Sequence, residues 1–397
     1  MLCYCYLVYQ EQVTAMLSSG NTAVGGNQLK AKTSLMKTKC FFLILGITLS
    51  SIGCSHKIVK IKSNIHKQRP DDYTARIDSL IQTNNPRKFN GVILITQNGK
   101  TKYAKSVGYS NFDKKTPLEQ TDNFRIQSNS KQITAVLLLK EVEKGNLKLE
   151  QSIRTYLPDL KQSWADTVTI HQLLNMSAGI TDLNKPLAFQ PGTKFYYSNP
   201  AYGLVGRLIE KTTGKKYSEV ANNLFEELGM HNTYCYEIDK PSNELVNGYW
   251  VLKDSIASVD FKSLNFTNDS WANFIPAGGI ISNAVDLSIW DTKLHNGKIL
   301  KSNSYTAMIN STIVDDDPTF SGKKATYGYG VNINEEAPLK FIGHAGRGIG
   351  FVSLKLYIPD RNLFVVILEN TYNRDLSIVY YFETNIRRIV MNSNLVK

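Results

Sequence analysis

Two apolar spacings alternate along this chain. Near its first third, Asn90-Gly91-Val92-Ile93-Leu94-Ile95-Thr96 and the segment Lys102 to Tyr109 flank Gln97-Asn98-Gly99-Lys100. Short β-branched runs around Asn-Gly predict a hairpin. Tyr73 to Thr83 predicts a helix, and a longer one follows Ser128. Ala135, Val136, Leu137, Leu138, Leu139 and Val142 are its apolar run, Lys140 to Lys144 its charged end, and Gly145 its stop. Residues 149 to 271 read as mostly helical with long loops, and Ser282 to His295 as a further helix. The last quarter returns to strands at Lys340 to Ala345, Phe351 to Ile358 and Leu363 to Glu369, the latter two joined by Pro359-Asp360-Arg361-Asn362. Asp375 to Met391 closes the chain as an amphipathic helix.

Strands at both ends of a helical stretch imply an α+β fold, in which an antiparallel sheet flanked by helices is completed by distant segments. The domain is expected over residues 71–397, with sheet parts at about 71–145 and 276–397 and an inserted helical subdomain at about 146–275. Residues 1–53 read as leader and signal peptide. Met36-Lys37-Thr38-Lys39 precedes the apolar run from Cys40 to Leu49, too short to span a bilayer. Translation is expected to begin at Met36. Residues 55–70 are polar, basic and aperiodic, a tether of at most about 50 Å at about 3.3 Å per residue.

Charge and cysteines narrow the function. The net charge of +12 is concentrated at the start: residues 1–70 hold nine Lys/Arg and one acid, leaving only +4 for the rest. No basic face with interleaved aromatics remains, so no nucleic-acid partner is expected. Of five cysteines, Cys3, Cys5, Cys40 and Cys54 precede the domain, and Cys235 is left without a disulfide partner. No paired Cys/His spacing and no His-Glu-x-x-His appears, so no metal and no cofactor is implied.

The candidate chemistry lies at the start of the central apolar helix. In Phe124-Arg125-Ile126-Gln127-Ser128-Asn129-Ser130-Lys131, Ser128 and Lys131 are three apart, which puts both side chains on one helical face. A serine hydroxyl is a weak nucleophile until a neighbouring base takes its proton, and a lysine does so when desolvation keeps it neutral. Ser34/Lys37 and Ser321/Lys324 share the spacing, but the first lies in the leader and the second in a polar loop. A second element is Pro191-Gly192-Thr193-Lys194-Phe195-Tyr196-Tyr197-Ser198-Asn199-Pro200, where Asn199-Pro200 has the form of an N-cap and first helical position. Taken alone, it reads as a cap with core tyrosines. A third is Phe341-Ile342-Gly343-His344-Ala345-Gly346-Arg347-Gly348-Ile349-Gly350-Phe351, a strand entering a glycine-rich turn whose backbone can approach a ligand closely.

In this order the three elements resemble the penicillin-recognising serine hydrolases: class C beta-lactamases, D-alanyl-D-alanine carboxypeptidases, D-aminopeptidases and beta-lactamase-like esterases. The resemblance covers about residues 75–390. It extends to Ile170-His171-Gln172-Leu173-Leu174, Ser177-Ala178-Gly179-Ile180, Pro276-Ala277-Gly278-Gly279 and Tyr327-Gly328-Tyr329-Gly330. It implies a beta-lactamase/penicillin-binding-protein-like fold, Ser128 as nucleophile, Lys131 as its base partner and Tyr197 as proton shuttle. Asn199 would hold the substrate amide or position Lys131. His344, Gly346 and Arg347 would line the substrate, with the backbone N–H groups of Ser128 and Arg347 as oxyanion hole. The chain departs from class C enzymes in having His344 where lysine is common, and from relatives generally in Asn175-Met176 where His-Thr is frequent. Neither Ser-Asp-Asn nor Lys-Thr-Gly occurs. Ser51-Ile52-Gly53-Cys54 resembles a bacterial lipobox, with Ser51 at the usual leucine position, and implies lipidation of Cys54 and an envelope location. The expected activity is acyl-enzyme hydrolysis of an amide or ester: first a D-amino-acid or peptidoglycan-derived peptide, then a small ester, then a beta-lactam. A penicillin-binding sensor without turnover is the alternative.

Overall fold

A computed structural model describes residues 71–397 apart from 240–243, 253–254, 312, 316–324 and 337–338. The leader, Cys54, the tether and the serines of the Ser34 and Ser321 pairs lie outside the described residues. The hairpin predicted around Asn-Gly pairs β1 (Gly91–Gln97) with β2 (Lys100–Val107). Asn98 and Gly99 have φ of 51° and 72°, the two left-handed residues of a type I′ turn. Gln97 lies opposite Lys100, so the turn is two residues rather than the expected four.

Six further strands complete the main sheet: β3 (Val314–Asp315), β4 (Ala325–Tyr327), β5 (Asn332–Glu336), β6 (Leu339–Gly348), β7 (Phe351–Ile358) and β8 (Leu363–Glu369). Their order is β3-β4-β5-β6-β7-β8-β1-β2, antiparallel throughout. The early hairpin therefore docks on the last strand, from Gly91 opposite Glu369 to Gln97 opposite Leu363. Because β7 and β8 are buried along their whole length, alternate residues must meet apolar cover on both faces. On one face Ile93, Ile95, Val365 and Ile367 pack with Ile77 and Ile81 of α1 (Thr74–Ile81) and Phe382, Ile386 and Val390 of α9 (Tyr381–Met391). On the other, Val92, Leu94, Val366 and Leu368 belong to the large core built on the remaining helices. These are α2 (Ser130–Glu143), α3 (Ile170–Leu174), α4 (Asn199–Thr213), α5 (Tyr217–Glu227), α6 (Asn268–Gly278), α7 (Ala284–His295) and α8 (Ser302–Ile309). Helix α2 is buried continuously from Ser130 to Leu139, the mark of a helix enclosed on all sides.

Three expectations are corrected. The helix after Ser128 starts at Ser130, and Gln127–Asn129 form a 3₁₀ turn ahead of it. The region read as helical contains a hairpin, Tyr249–Leu252 with Ser255–Ser258, and its first strand pairs in parallel with Thr371–Asn373. That strand was too short to show a period of two. The last helix starts at Tyr381 rather than Asp375, because the Asp375 carboxylate accepts from both the N–H and the hydroxyl of Ser377 and so favours a turn.

A buried charge cluster ties β8 to α9. The Arg87 guanidinium donates to both oxygens of Glu369 at 2.7 Å, to Glu383 at 3.3 Å, and to the carbonyls of Ile378 and Val379. Burial first, and then the neighbouring Glu369 carboxylate, hold Glu383 well above the usual carboxylate range. Glu369, bidentate and closer, is thus the counterion of Arg87, with Glu383 beside it held toward its neutral form. Glu369→Gln removes the bidentate counterion of a buried guanidinium and is expected to cost about 3 kcal/mol, whereas Glu383→Gln should change stability little. Urea midpoints at constant slope measure both, and equal losses would contradict this division of charge.

Candidate active site

Ser128 sits in the 3₁₀ turn between Phe124–Arg125, which pairs with Ile280–Ser282, and α2. Gln127 before it has φ of 49°, a conformation that side-chain-bearing residues seldom adopt. The turn keeps the helical offset between positions 128 and 131, so the expected proximity is realised. Lys131 Nζ is 3.1 Å from Ser128 Oγ.

Lys131 is fully buried, and the groups around its amine are neutral. Nζ lies 2.8 Å from Asn199 Oδ1 and 2.7 Å from the Ala277 carbonyl oxygen, and 4.7 Å above the Tyr197 ring. Burial alone pushes its pKa well below the ordinary lysine value. A neutral amine has two N–H bonds and one lone pair. With Asn199 Oδ1 and Ala277 O accepting the two hydrogens, the lone pair is left for the Ser128 hydroxyl.

Helix α4 explains how Asn199 comes to be available. Ser198, not Asn199, is the N-cap, and its hydroxyl accepts from Ala201 N at 3.1 Å. Asn199 and Pro200 are the first helical residues, so the Asn199 side chain is released from capping and turns toward Lys131. Tyr197 is 38% exposed, with its ring 6.1 Å from that of His344 and 6.4 Å from that of Tyr327. Met176 underlies this segment: its sulfur accepts from Ser198 N and its carbonyl from Tyr196 N, and it packs with Tyr202, Ala277 and Tyr327. The departure at position 176 thus lies beneath the tyrosine.

The third element is a longer strand than expected, and its turn is only Ile349-Gly350, with φ of 49° and 82°. Gly348 and Phe351 flank it. In a two-residue hairpin that flanking pair exchanges the ladder hydrogen bonds, so the alternation directs the Arg347 N–H away from β7. On that side β5 pairs with β6 only as far as Gly343. Gly346 brings this edge against the serine turn: a Cβ there would fall 2.7 Å from the Ile126 oxygen and 2.8 Å from Gln127 Cβ. The Arg347 guanidinium lies 5.5 Å from the Tyr380 ring centroid.

His344 is buried, not presented to solvent. Its Nδ1–H donates to the Ala345 carbonyl at 2.5 Å and its Nε2 accepts from the Tyr327 hydroxyl at 3.0 Å. Both nitrogens are engaged, which fixes the tautomer. Burial, and then Lys131, push its pKa down to about 3. The imidazole is therefore a neutral group that supports Tyr327 and the neighbouring Tyr197.

The structure thus gathers Ser128, Lys131, Tyr197, Asn199, His344, Gly346 and Arg347 in one place. Sequence reasoning missed the role of the Ala277 carbonyl, although Pro276-Ala277-Gly278 stood out as a motif, and it missed Met176 and Tyr327 as supports. A carbonyl acceptor carries no side-chain signature. Chemically, the arrangement offers a serine hydroxyl beside a buried amine whose proton affinity is lowered, at a strand that carries a backbone N–H donor.

A model of the beta-lactamase family matches residues 77–380, more than half of the chain. The chain belongs to the beta-lactamase family. Among its relatives is Protein flp of Staphylococcus aureus (strain N315), 27% identical over 305 residues that cover 70% of this chain and 59% of that protein, so the match spans about three fifths of the relative's length. The octameric penicillin-binding protein homologue from Pyrococcus abyssi superposes with a TM-score of 0.69 at 25% identity, covering 81% of this chain and 78% of that one. The D-amino acid amidase from Ochrobactrum anthropi SV3 does so with a TM-score of 0.69 at 22% identity, covering 81% and 99%. These likenesses establish the beta-lactamase/penicillin-binding-protein-like α+β fold and a family of hydrolases.

Within this family member, burial of His344 yields a pH prediction. An imidazole with an ordinary pKa of about 6.5 would gain charge between pH 8 and 5.5 and favour carboxylate substrates in acid. With the pKa lowered to about 3, the ratio of kcat/KM for a penicillin to that for a neutral ester should stay within about twofold across this range. A rise toward acid with a midpoint near 6.5 would contradict the neutral, engaged imidazole.

Proposed function

We propose that this chain is a serine hydrolase that forms an acyl-enzyme on Ser128. The single observation that carries the reading is the Lys131 amine, desolvated, 3.1 Å from Ser128 Oγ, and with neutral acceptors for its two hydrogens. Ser128 Oγ attacks the substrate carbonyl carbon as its proton passes to Lys131 Nζ. The carbonyl oxygen becomes an oxyanion between the N–H groups of Ser128 and Arg347. Collapse breaks the bond to nitrogen or alkoxide, the leaving group takes its proton by way of Tyr197, and water then attacks the ester and returns the serine. Asn199 orients Lys131, while His344 and Gly346 shape the wall beside the substrate.

The substrate we favour is a D-amino-acid or peptidoglycan-derived peptide. The fold likeness to a D-amino acid amidase is compatible with that chemistry, and a lipid anchor at Cys54, also a proposal, would hold the enzyme in the cell envelope near such material. No nucleic-acid partner and no cofactor enters the reading. A neutral small ester is the second reading, favoured by the uncharged His344, which supplies no fixed cation for a substrate carboxylate.

A fluorophosphonate probe should label the peptide containing Ser128. Ser128→Ala should abolish labelling and lower ester or amide turnover by about 10³-fold or more. Labelling of the peptide containing Ser34 or Ser321, with turnover retained in Ser128→Ala, would overturn the assignment.

A further inference from the structure

Two backbone donors make an effective oxyanion hole only when the gap between them is held fixed. Here one donor is on the 3₁₀ turn and the other on β6, and the sheet ladder does not join them. What joins them is a set of buried side-chain hydrogen bonds between the turn and the β6–β7 hairpin. Ser353, on β7 opposite Gly346, donates through Oγ to the Ile126 carbonyl at 2.8 Å and accepts from Asn129 Nδ2 at 2.9 Å. Ser353 and Asn129 are 0% and 1% exposed. These two bonds grip the turn on either side of Ser128. Gln127 Nε2 adds a third by donating to the Gly348 carbonyl at 2.6 Å, one residue beyond Arg347. The missing side chain at Gly346 makes room for the grip, since a Cβ there would lie 2.7 Å from Ser353 Oγ.

We propose that Ser353 and Asn129 are positioning residues that set the spacing between the Ser128 and Arg347 N–H groups, so that their hydrogen bonds act on the transition state rather than on substrate binding. This inference rests on the acyl-enzyme reading above. Neither side chain touches the reacting atoms. Ser353→Ala removes the hydroxyl that both bonds share, while Asn129→Ala removes one donor and leaves the Ser353 to Ile126 bond in place. Releasing the turn loosens a geometry in which displacement by about 1 Å can cost about 10²-fold in rate.

The test uses the wild-type protein and the two single variants and their double, a neutral activated ester, and a boronic acid as transition-state analogue. Ser353→Ala should lower kcat about 10- to 10²-fold with KM within about twofold. Boronate affinity should weaken by the same factor as kcat/KM. Asn129→Ala should show the same split to a smaller degree, and the double variant should lose little more than Ser353→Ala alone, because the two act through one linkage. Ile77→Val in α1, on the far face of the sheet, serves as the stability control and should lower Tm without changing kcat. If Ser353→Ala keeps kcat within twofold of wild type, or if boronate binding does not follow kcat/KM, the positioning role is overturned. Should Ser353→Ala fail to fold, Asn129→Ala with unchanged kcat and boronate affinity overturns it equally. Wild-type protein that takes no fluorophosphonate at Ser128 overturns the nucleophile assignment, and this proposal with it. Wild-type protein that is labelled, alongside a Ser353→Ala variant labelled at the same rate, overturns the proposal alone.

Discussion

An amine buried with no carboxylate against it among the described residues is the constraint on which this site depends. Charging Lys131 would place an ammonium among Asn199, the Ala277 carbonyl and aromatic rings, and such burial favours the neutral amine. A second buried lysine marks the contrast. Lys355, opposite His344 on β7, contacts the Asp291 carboxylate and the side chain of Gln132, the residue next to Lys131 on α2. Adjacent positions on one helix thus serve two buried amines, one with an acid beside it and one with neutral acceptors alone. The pairing, rather than the burial, separates the two amines: Lys355 is paired with Asp291, and Lys131 is the candidate base.

The rest of the scaffold brings neutral acceptors and backbone donors to that amine. Capping by Ser198 frees Asn199. The C-terminal end of α6 supplies the Ala277 carbonyl, and Gly346 lets β6 close on the serine turn without a clash. Even the histidine is drawn in as a neutral group, since a proton on its Nε2 would bury a charge and break its acceptor role toward Tyr327. Each of these elements comes from a different part of the chain, and the sheet joins residues near 91 with residues near 369.

The sheet, its flanking helices and the Ser128/Lys131 pair were legible because each rests on a local pattern: Asn-Gly between apolar runs, apolar helical spacing, or a fixed offset of three. The strand Tyr249–Leu252 was not legible, because it is short and pairs with Thr371–Asn373 across more than a hundred residues. Nor was the identity of the cap, since Ser198 and Asn199 are both good capping residues and only the packing decides between them. The state of His344 was hidden for a related reason. Burial and then Lys131 set its proton affinity, and neither is visible beside it in sequence.

The central claim is that Lys131 is uncharged at neutral pH and takes the serine proton. Its most direct measure is the rate at which a neutral fluorophosphonate acylates Ser128 in the wild-type protein as pH is varied from 6 to 11. The account predicts a plateau that is reached well below the ordinary lysine pKa of about 10.4, with no inflection there. A rate that climbs about tenfold per pH unit and levels only near 10.4 would show a lysine that is charged at neutrality, and would contradict the account.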